Sequence, residues 1–228
     1  MSKGIFITAT GTDVGKTYIS GLLVKKMRDL KYDCGYYKPA LSGAEIINGQ
    51  LIPGDCAYVL ETAGINDNPM KYVSYVFKTA VSPHLAAQQE GKSITKDKIK
   101  RDFDRIKNDF DYIVVEGAGG IVCPFNLKEE KIILPDIIKM LELDVIVVAS
   151  ASLGTINSTV LTTEYIKSLG INIRGIILNG YDKNDFMQVD NKEQVENLTG
   201  LKVIAAVKEN EKDIQIEEDI LLSVFKEI

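Results

Sequence analysis

Histidine is almost absent from this chain: His84 is the only one in 228 residues. It lies in Ser82-Pro83-His84 at an expected helix start, so capping or packing is expected of it rather than catalysis. Cysteine is sparse as well. Cys34, Cys56 and Cys123 are far apart and lack CxxC spacing, so buried free thiols are expected rather than a zinc site. No apolar run approaches the ~18 residues of a membrane span. Met1-Ser2-Lys3-Gly4 runs directly into a short apolar strand pattern, so the expectation is no signal peptide and a cytoplasmic location. Basic residues are outnumbered, and the net charge is −5. That balance argues against a broad nucleic-acid or anionic-membrane footprint, yet leaves room for a local basic pocket. Repeats, low-complexity stretches and Pro/Ser-rich linkers are missing too, so a single domain over 1–228 is expected.

What is present is a rhythm. Short β-branched runs recur at Ile5–Thr8, Gly35–Lys38, Tyr112–Val115, Val145–Val148, Gly175–Leu178 and Val203–Ala206. Most lack polar alternation, as strands covered on both faces do. Between them lie amphipathic stretches. Ile19, Leu22, Leu23, Met27 and Leu30 share one helical face, and Ile99, Phe103, Ile106 and Phe110 share another. Alternation of this kind predicts an α/β fold with a mostly parallel sheet flanked by helices. In such sheets ligands bind beyond the C-terminal strand ends, so those ends are where chemistry is expected.

The first run is followed by Thr8-Ala9-Thr10-Gly11-Thr12-Asp13-Val14-Gly15-Lys16-Thr17 and then a helix pattern. Strand, glycine turn, Gly-Lys-Thr and helix are the context of a phosphate cradle, whose backbone N–H groups turn inward around an anion. Lys16 would reach the β and γ phosphates, and the Thr17 hydroxyl would ligate Mg²⁺. Thr10 stands where the strict pattern has glycine. The third run ends in Glu116-Gly117-Ala118-Gly119-Gly120, a carboxylate placed to ligate Mg²⁺ directly or through a second layer, or a plain glycine turn. Asp55 follows Pro53-Gly54 and reads first as a helix N-cap. Lys38-Pro39 is expected to close the second strand, the proline stopping it and the lysine facing either the cleft or solvent. Ser152-Leu153-Gly154-Thr155-Ile156-Asn157 opens a helix through Leu169, either as an anion site or as an ordinary cap.

Taken together, these motifs resemble the dethiobiotin synthetase family over nearly the whole chain. Thr10 to Thr17 resembles that family's variant phosphate loop. Tyr37-Lys38-Pro39-x-x-Ser42-Gly43, Ser82-Pro83-His84, Val115-Glu116-Gly117-Ala118-Gly119-Gly120 and Leu153-Gly154-x-Ile156-Asn157 follow in the family's order and spacing. The resemblance implies a P-loop homodimer with a seven-stranded parallel core that uses ATP, Mg²⁺ and CO2 to close a ring on 7,8-diaminononanoate. It implies nucleotide binding by Asp13, Val14, Gly15, Lys16, Thr17 and Glu116, with Asn179 reading adenine. Mg²⁺ would be held by Thr17, Asp55 and Glu116, against the capping role first read for Asp55. Lys16 and Lys38 would flank the transferred phosphoryl group, and Thr12 and Ser42 would contact the diamine or its carbamate. Leu153, Gly154, Thr155 and Asn157 would bind the substrate carboxylate from the neighbouring subunit. Two positions depart from the family: Ala9 replaces a glycine, and Val207-Lys208 replaces an Ile-Pro pair near the base.

Two rivals share the sheet. A partitioning-type dimeric ATPase switch carries Lys-Gly-Gly-x-Gly-Lys-Thr, whereas Gly11-Thr12-Asp13 here lacks the leading lysine. A corrinoid-type amidoligase would normally sit in a much longer chain with a glutaminase domain.

Overall fold

The computed structural model describes residues 2–228. The chain begins with β1 (Lys3–Ala9), α1 (Lys16–Asp29) and β2 (Cys34–Ser42), then a hairpin of β3 (Glu45–Ile47) and β4 (Gln50–Ile52). Next come α2 (Gly54–Thr62), β5 (Val73–Phe77), α3 (Pro83–Gln89), α4 (Lys96–Lys107) and β6 (Tyr112–Glu116). A second hairpin, β7 (Pro124–Asn126) and β8 (Ile132–Ile133), leads into α5 (Leu134–Met140). The last third alternates β9 (Val145–Ser150), α6 (Thr155–Ser168), β10 (Ile173–Asn179), α7 (Phe186–Thr199) and β11 (Val203–Val207). It closes with α8 (Glu218–Ser223) and β12 (Lys226–Glu227).

Seven strands pair in parallel in the order β11-β10-β9-β1-β6-β2-β5, and β12 adds a short antiparallel pairing to β1. The expected mostly parallel, helix-flanked sheet is therefore present. Burial explains the lack of alternation: every residue from Val145 to Ala149 in β9 is fully buried, as are Ile5, Phe6 and Ile7 in β1. Side chains on both faces meet helices, so both faces must be apolar. Six of the seven parallel strands coincide with the apolar runs. The seventh, β5, reads Val73-Ser74-Tyr75-Val76-Phe77 and lies at the sheet edge, where its half-polar pattern gives little signal.

Three local expectations need correction. β2 does not stop at Pro39 but runs on to Ser42. The ladder to β6 ends at Tyr37↔Val115, and the ladder to β5 takes up Lys38 and then Ala40, so Pro39 contributes to neither and its missing N–H costs no pairing. Phe110 lies beyond the end of α4 and packs from the following turn against Gly35, where a Cβ would run into its ring. Asp55 is not the N-cap of α2; Pro53 holds that position, and Asp55 sits inside the first turn.

Register does the work of positioning. Ile7 stands opposite Glu116, and Tyr37 stands opposite Val115. The C-terminal ends of β1, β6 and β2 therefore come out side by side, next to the place where the connection after β1 runs one way across the sheet and that after β9 runs the other. The α4 face packs Ile99, Phe103 and Ile106 onto the sheet, with the Phe103 ring centroid 5.6 Å from that of Tyr37. Replacing the fully packed Phe103 by alanine should lower the unfolding free energy by about 3–5 kcal/mol in urea titrations. A loss below about 1 kcal/mol would mean that α4 does not seal this side of the sheet.

Candidate active site

Beyond Ala9 the chain turns through residues 10–15 and enters α1 at Lys16. Gly15 caps this helix with φ +96°, and a Cβ there would collide with the side-chain amide of Asn179. Only glycine fits that backbone and that approach. Asn179, at the end of β10, donates from Nδ2 to the Val14 carbonyl at 3.2 Å, so it braces the loop from the neighbouring side. From the other side Gly120 approaches the loop backbone, and a Cβ there would stand 3.4 Å from Gly11 Cα. The loop is thus held open at the N-terminus of a 14-residue helix, with the helix dipole facing the cleft.

A compact charge cluster lies beside it. Lys38 is 4% exposed and Glu116 is fully buried. The Lys38 ammonium stands 2.5 Å from Glu116 Oε1 and 2.6 Å from Asp55 Oδ2, so it bridges the two carboxylates. It is not an exposed edge lysine. Thr17 Oγ1 donates to Glu116 Oε1 at 2.8 Å, and the Tyr36 phenol donates to Oε2 at 2.7 Å. Burial alone would lower the Lys38 pKa, but the Glu116 and Asp55 charges outweigh it, so the ammonium is held above its usual range. Lys16 moves the other way: burial, then the like charge of Lys38, lowers its pKa. Its Nζ donates to the Gly11 carbonyl at 3.0 Å, folded back over the loop.

These groups line a cleft of about 670 Å³ that also collects Thr12, Asp13, Gly15, Ser42, Tyr58 and Gly119. An adjoining chamber of about 610 Å³ shares Thr12, Asp13, Ser42, Ala118 and Gly119 with it and continues over Val81, Pro83, Val122 and Pro124. The charged cleft thus opens into a second space of mixed polar and apolar lining. His84 lines neither space. Its Nδ1 pairs with Ser82 Oγ at 3.0 Å, next to the first turn of α3, in keeping with local packing.

The segment from Leu153 to Asn157 is not brought to this cleft. Leu153, Gly154 and Asn157 line a separate, mostly apolar hollow between α6 and α7, and Leu153 is 84% exposed. Thr155 is buried, with its hydroxyl turned inward 3.3 Å from that of Thr159. Tyr36 was missed from the sequence. Period-2 spacing was the available signal, since residues 36 and 38 project from the same side of β2. Tyr18 was missed as well; its phenol donates to the Glu211 carbonyl and ties α1 to the segment after β11.

A phosphate loop at the switch point of a parallel sheet, with a buried lysine and two carboxylates beside it, defines a P-loop nucleotide-binding protein. The family described as AAA domain matches residues 3–215. An ATP-dependent dethiobiotin synthetase BioD of Clostridium botulinum (strain Alaska E43 / Type E3) is 53% identical over 216 residues, which cover 95% of both chains. A second, from strain 657 / Type Ba4, is 51% identical over 228 residues and covers 100% of both. The chain belongs to the ATP-dependent dethiobiotin synthetase family, whose members are ligases that form C–N bonds. Solved structures show how far the fold alone extends. A ParA family ATPase from Chlorobium tepidum TLS superposes with a TM-score of 0.56 at 13% identity, covering 98% of this chain and 90% of that one. The septum site-determining protein MinD of Pyrococcus horikoshii OT3 gives 0.55 at 17%, covering 92% and 82%.

Gly15→Ala tests the loop directly. Strain at positive φ and the clash with Asn179 should lower ATP affinity by about tenfold or more, as read by titration calorimetry. Unchanged affinity would mean that the loop backbone is not held in this shape when nucleotide binds.

Proposed function

We propose that this protein carboxylates 7,8-diaminononanoate with CO2 and closes the ureido ring at the expense of ATP, giving dethiobiotin, ADP and phosphate in the cytoplasm as a step of biotin biosynthesis. One synthetase domain over 1–228 would carry the whole reaction. The observation that carries the reading is the convergence of Lys16, Lys38, Thr17, Asp55 and Glu116 on the phosphate loop, in a chain about half identical to named synthetases.

The donor set suits Mg²⁺. Thr17, Asp55 and Glu116 offer one hydroxyl and two carboxylates, all hard oxygen donors, and the two carboxylates already share one cation, the Lys38 ammonium. Among the described residues no three His, Cys, Asp or Glu side chains gather into a full cage. Mg²⁺ needs none, since it commonly keeps waters and substrate phosphates among its ligands. Thr17, Asp55 and Glu116 would hold it, and when bound it would neutralise charge on the ATP phosphates.

The chain's own groups account for the rest. Backbone N–H groups of Asp13, Val14, Gly15, Lys16 and Thr17 would cradle the phosphates, and Asn179 would read the adenine. Thr12 and Ser42, at the junction of the two chambers, would orient the diamine and the carbamate formed when one amine takes up CO2. A carbamate oxygen attacks the γ phosphorus and ADP leaves. The second amine then attacks the activated carbonyl, phosphate leaves, and the ring closes. Lys16 and Lys38 would stabilise the charge that develops on the transferred phosphoryl group, a task of positioning and electrostatics rather than of base catalysis. Both amines belong to one molecule, so fixing its orientation removes much of the entropic barrier to closure.

Phosphate release measured with ATP, Mg²⁺ and bicarbonate should be very slow until 7,8-diaminononanoate is added, because Asp55 and Glu116 are both paired with Lys38 rather than free to take a proton from water. Brisk turnover without the diamine, or turnover stimulated by DNA, would instead support the partitioning-type switch whose sheet this chain shares.

The Leu153–Asn157 segment supports a homodimer with shared sites, since its hollow lies apart from the cleft of its own chain. Leu153, Gly154 and Asn157 would receive the substrate carboxylate of the neighbouring subunit, with Thr155 contributing only through its place in the turn. A Lys16→Ala dimer and a Leu153→Glu dimer should each be nearly inactive at moderate diamine concentrations. After subunit exchange between equal amounts, activity should return to about a quarter of wild type, because half of the dimers would carry one intact site. If differential tagging confirms exchange and activity does not return, both motifs serve the same chain.

A further inference from the structure

Glu116 has no contact with solvent, and its two oxygens have different partners. Oε1 accepts from Thr17 and Lys38, both of which line the cleft; Oε2 accepts from the Tyr36 phenol at 2.7 Å. We propose that Tyr36 is a positioning residue for Glu116, holding one carboxylate oxygen so that the other is presented to the cation and nucleotide. The proposal rests on the assignment of Glu116 as a Mg²⁺ ligand.

The geometry supports it in three ways. A carboxylate is free to swing about its last torsion, whose energy wells are broad. Anchoring Oε2 fixes the direction of Oε1. Tyr36 is itself fully buried on β2, opposite Val114 of β6, so its hydroxyl sits on a rigid mount. The same strand carries Lys38 two residues on, from the same side, so one element supplies both the clamp and the counter-charge of Glu116. Tyr37, on the opposite side of β2, provides the contrast. Its phenol bonds Ser74 and the Ile99 carbonyl, packs against α4 and has no part in the cluster.

The test is ADP binding by calorimetry, with Mg²⁺ and with EDTA, in Tyr36→Phe, Tyr37→Phe, Glu116→Gln and the Tyr36→Phe/Glu116→Gln double variant. Tyr36→Phe should bind ADP in EDTA as the wild type does, but lose about 10–100-fold of the enhancement that Mg²⁺ gives. Tyr37→Phe should keep that enhancement. In the Glu116→Gln background Tyr36→Phe should cost nothing further, since it acts through the carboxylate. p-Fluorophenylalanine at position 36, which fills the space of tyrosine but cannot donate, should reproduce the loss, and it serves where Tyr36→Phe does not fold. p-Aminophenylalanine, which restores a donor, should recover the enhancement. Full enhancement in Tyr36→Phe, an equal loss in Tyr37→Phe, or the same loss again on top of Glu116→Gln would overturn the proposal. If Glu116→Gln itself keeps the enhancement, the ligand assignment fails and the proposal fails with it. A loss in Glu116→Gln alone would leave the assignment standing and Tyr36 without this role.

Discussion

The buried carboxylate of Glu116 is the constraint around which the site is organised. A carboxylate without access to water is tolerated only where charge and hydrogen bonds replace its hydration. Here Thr17 comes from α1, Tyr36 and Lys38 come from β2, and Glu116 itself ends β6. The demand for those partners ties three elements together where the β1–β6–β2 register brings their ends level. Asp55 adds a second, half-exposed carboxylate to the same ammonium, so the cluster runs from the sheet interior out to the cleft wall.

The two lysines are tuned in opposite directions by this arrangement. Lys38 is pinned between carboxylates that outweigh its burial, which keeps it charged and fixed. Lys16 is desolvated and repelled by Lys38, and its ammonium is bonded only to the loop backbone. A phosphate group at the loop would offset that repulsion. Fixed charges set in place before the substrate arrives are what phosphoryl transfer requires, because little reorganisation is then left for the reaction itself. Beyond Ser42 and Gly119 the second space mixes the apolar side chains of Val81, Pro83, Val122 and Pro124 with the hydroxyls of Thr12, Ser42 and Ser82.

Most of the framework was legible in the sequence. The runs at Ile5–Thr8, Tyr112–Val115 and Val145–Val148 are strands buried on both faces, and such burial leaves an unmistakable apolar record. β5 left none, since it is five residues long and its Ser74 and Tyr75 break the apolar pattern. Pro39 misled for a related reason. Proline excludes a ladder bond, but whether the strand has one to lose at that residue depends on where its neighbours end, and that is a tertiary matter. Asp55 looked like a cap because proline-glycine precedes it. In fact the helix begins a residue earlier, and the side chain is turned toward Lys38 instead.

The class of site was already written in the chain: Gly-Lys-Thr after an apolar strand admits few backbones other than a phosphate loop, because glycine geometry and a helix start are local properties. It also carried the family, in five motifs kept in order and spacing. Which side chains meet is a matter of the folded sheet. Tyr36, Lys38, Asp55 and Glu116 are spread over 80 residues, and period-2 spacing puts Tyr36 on the side of Lys38 without saying that this side, rather than that of Tyr37, turns to Glu116. Their selection depends on strand order, on register and on which face of β2 turns inward. Those are set by the packing of the whole sheet against its helices, which no short stretch of the chain contains.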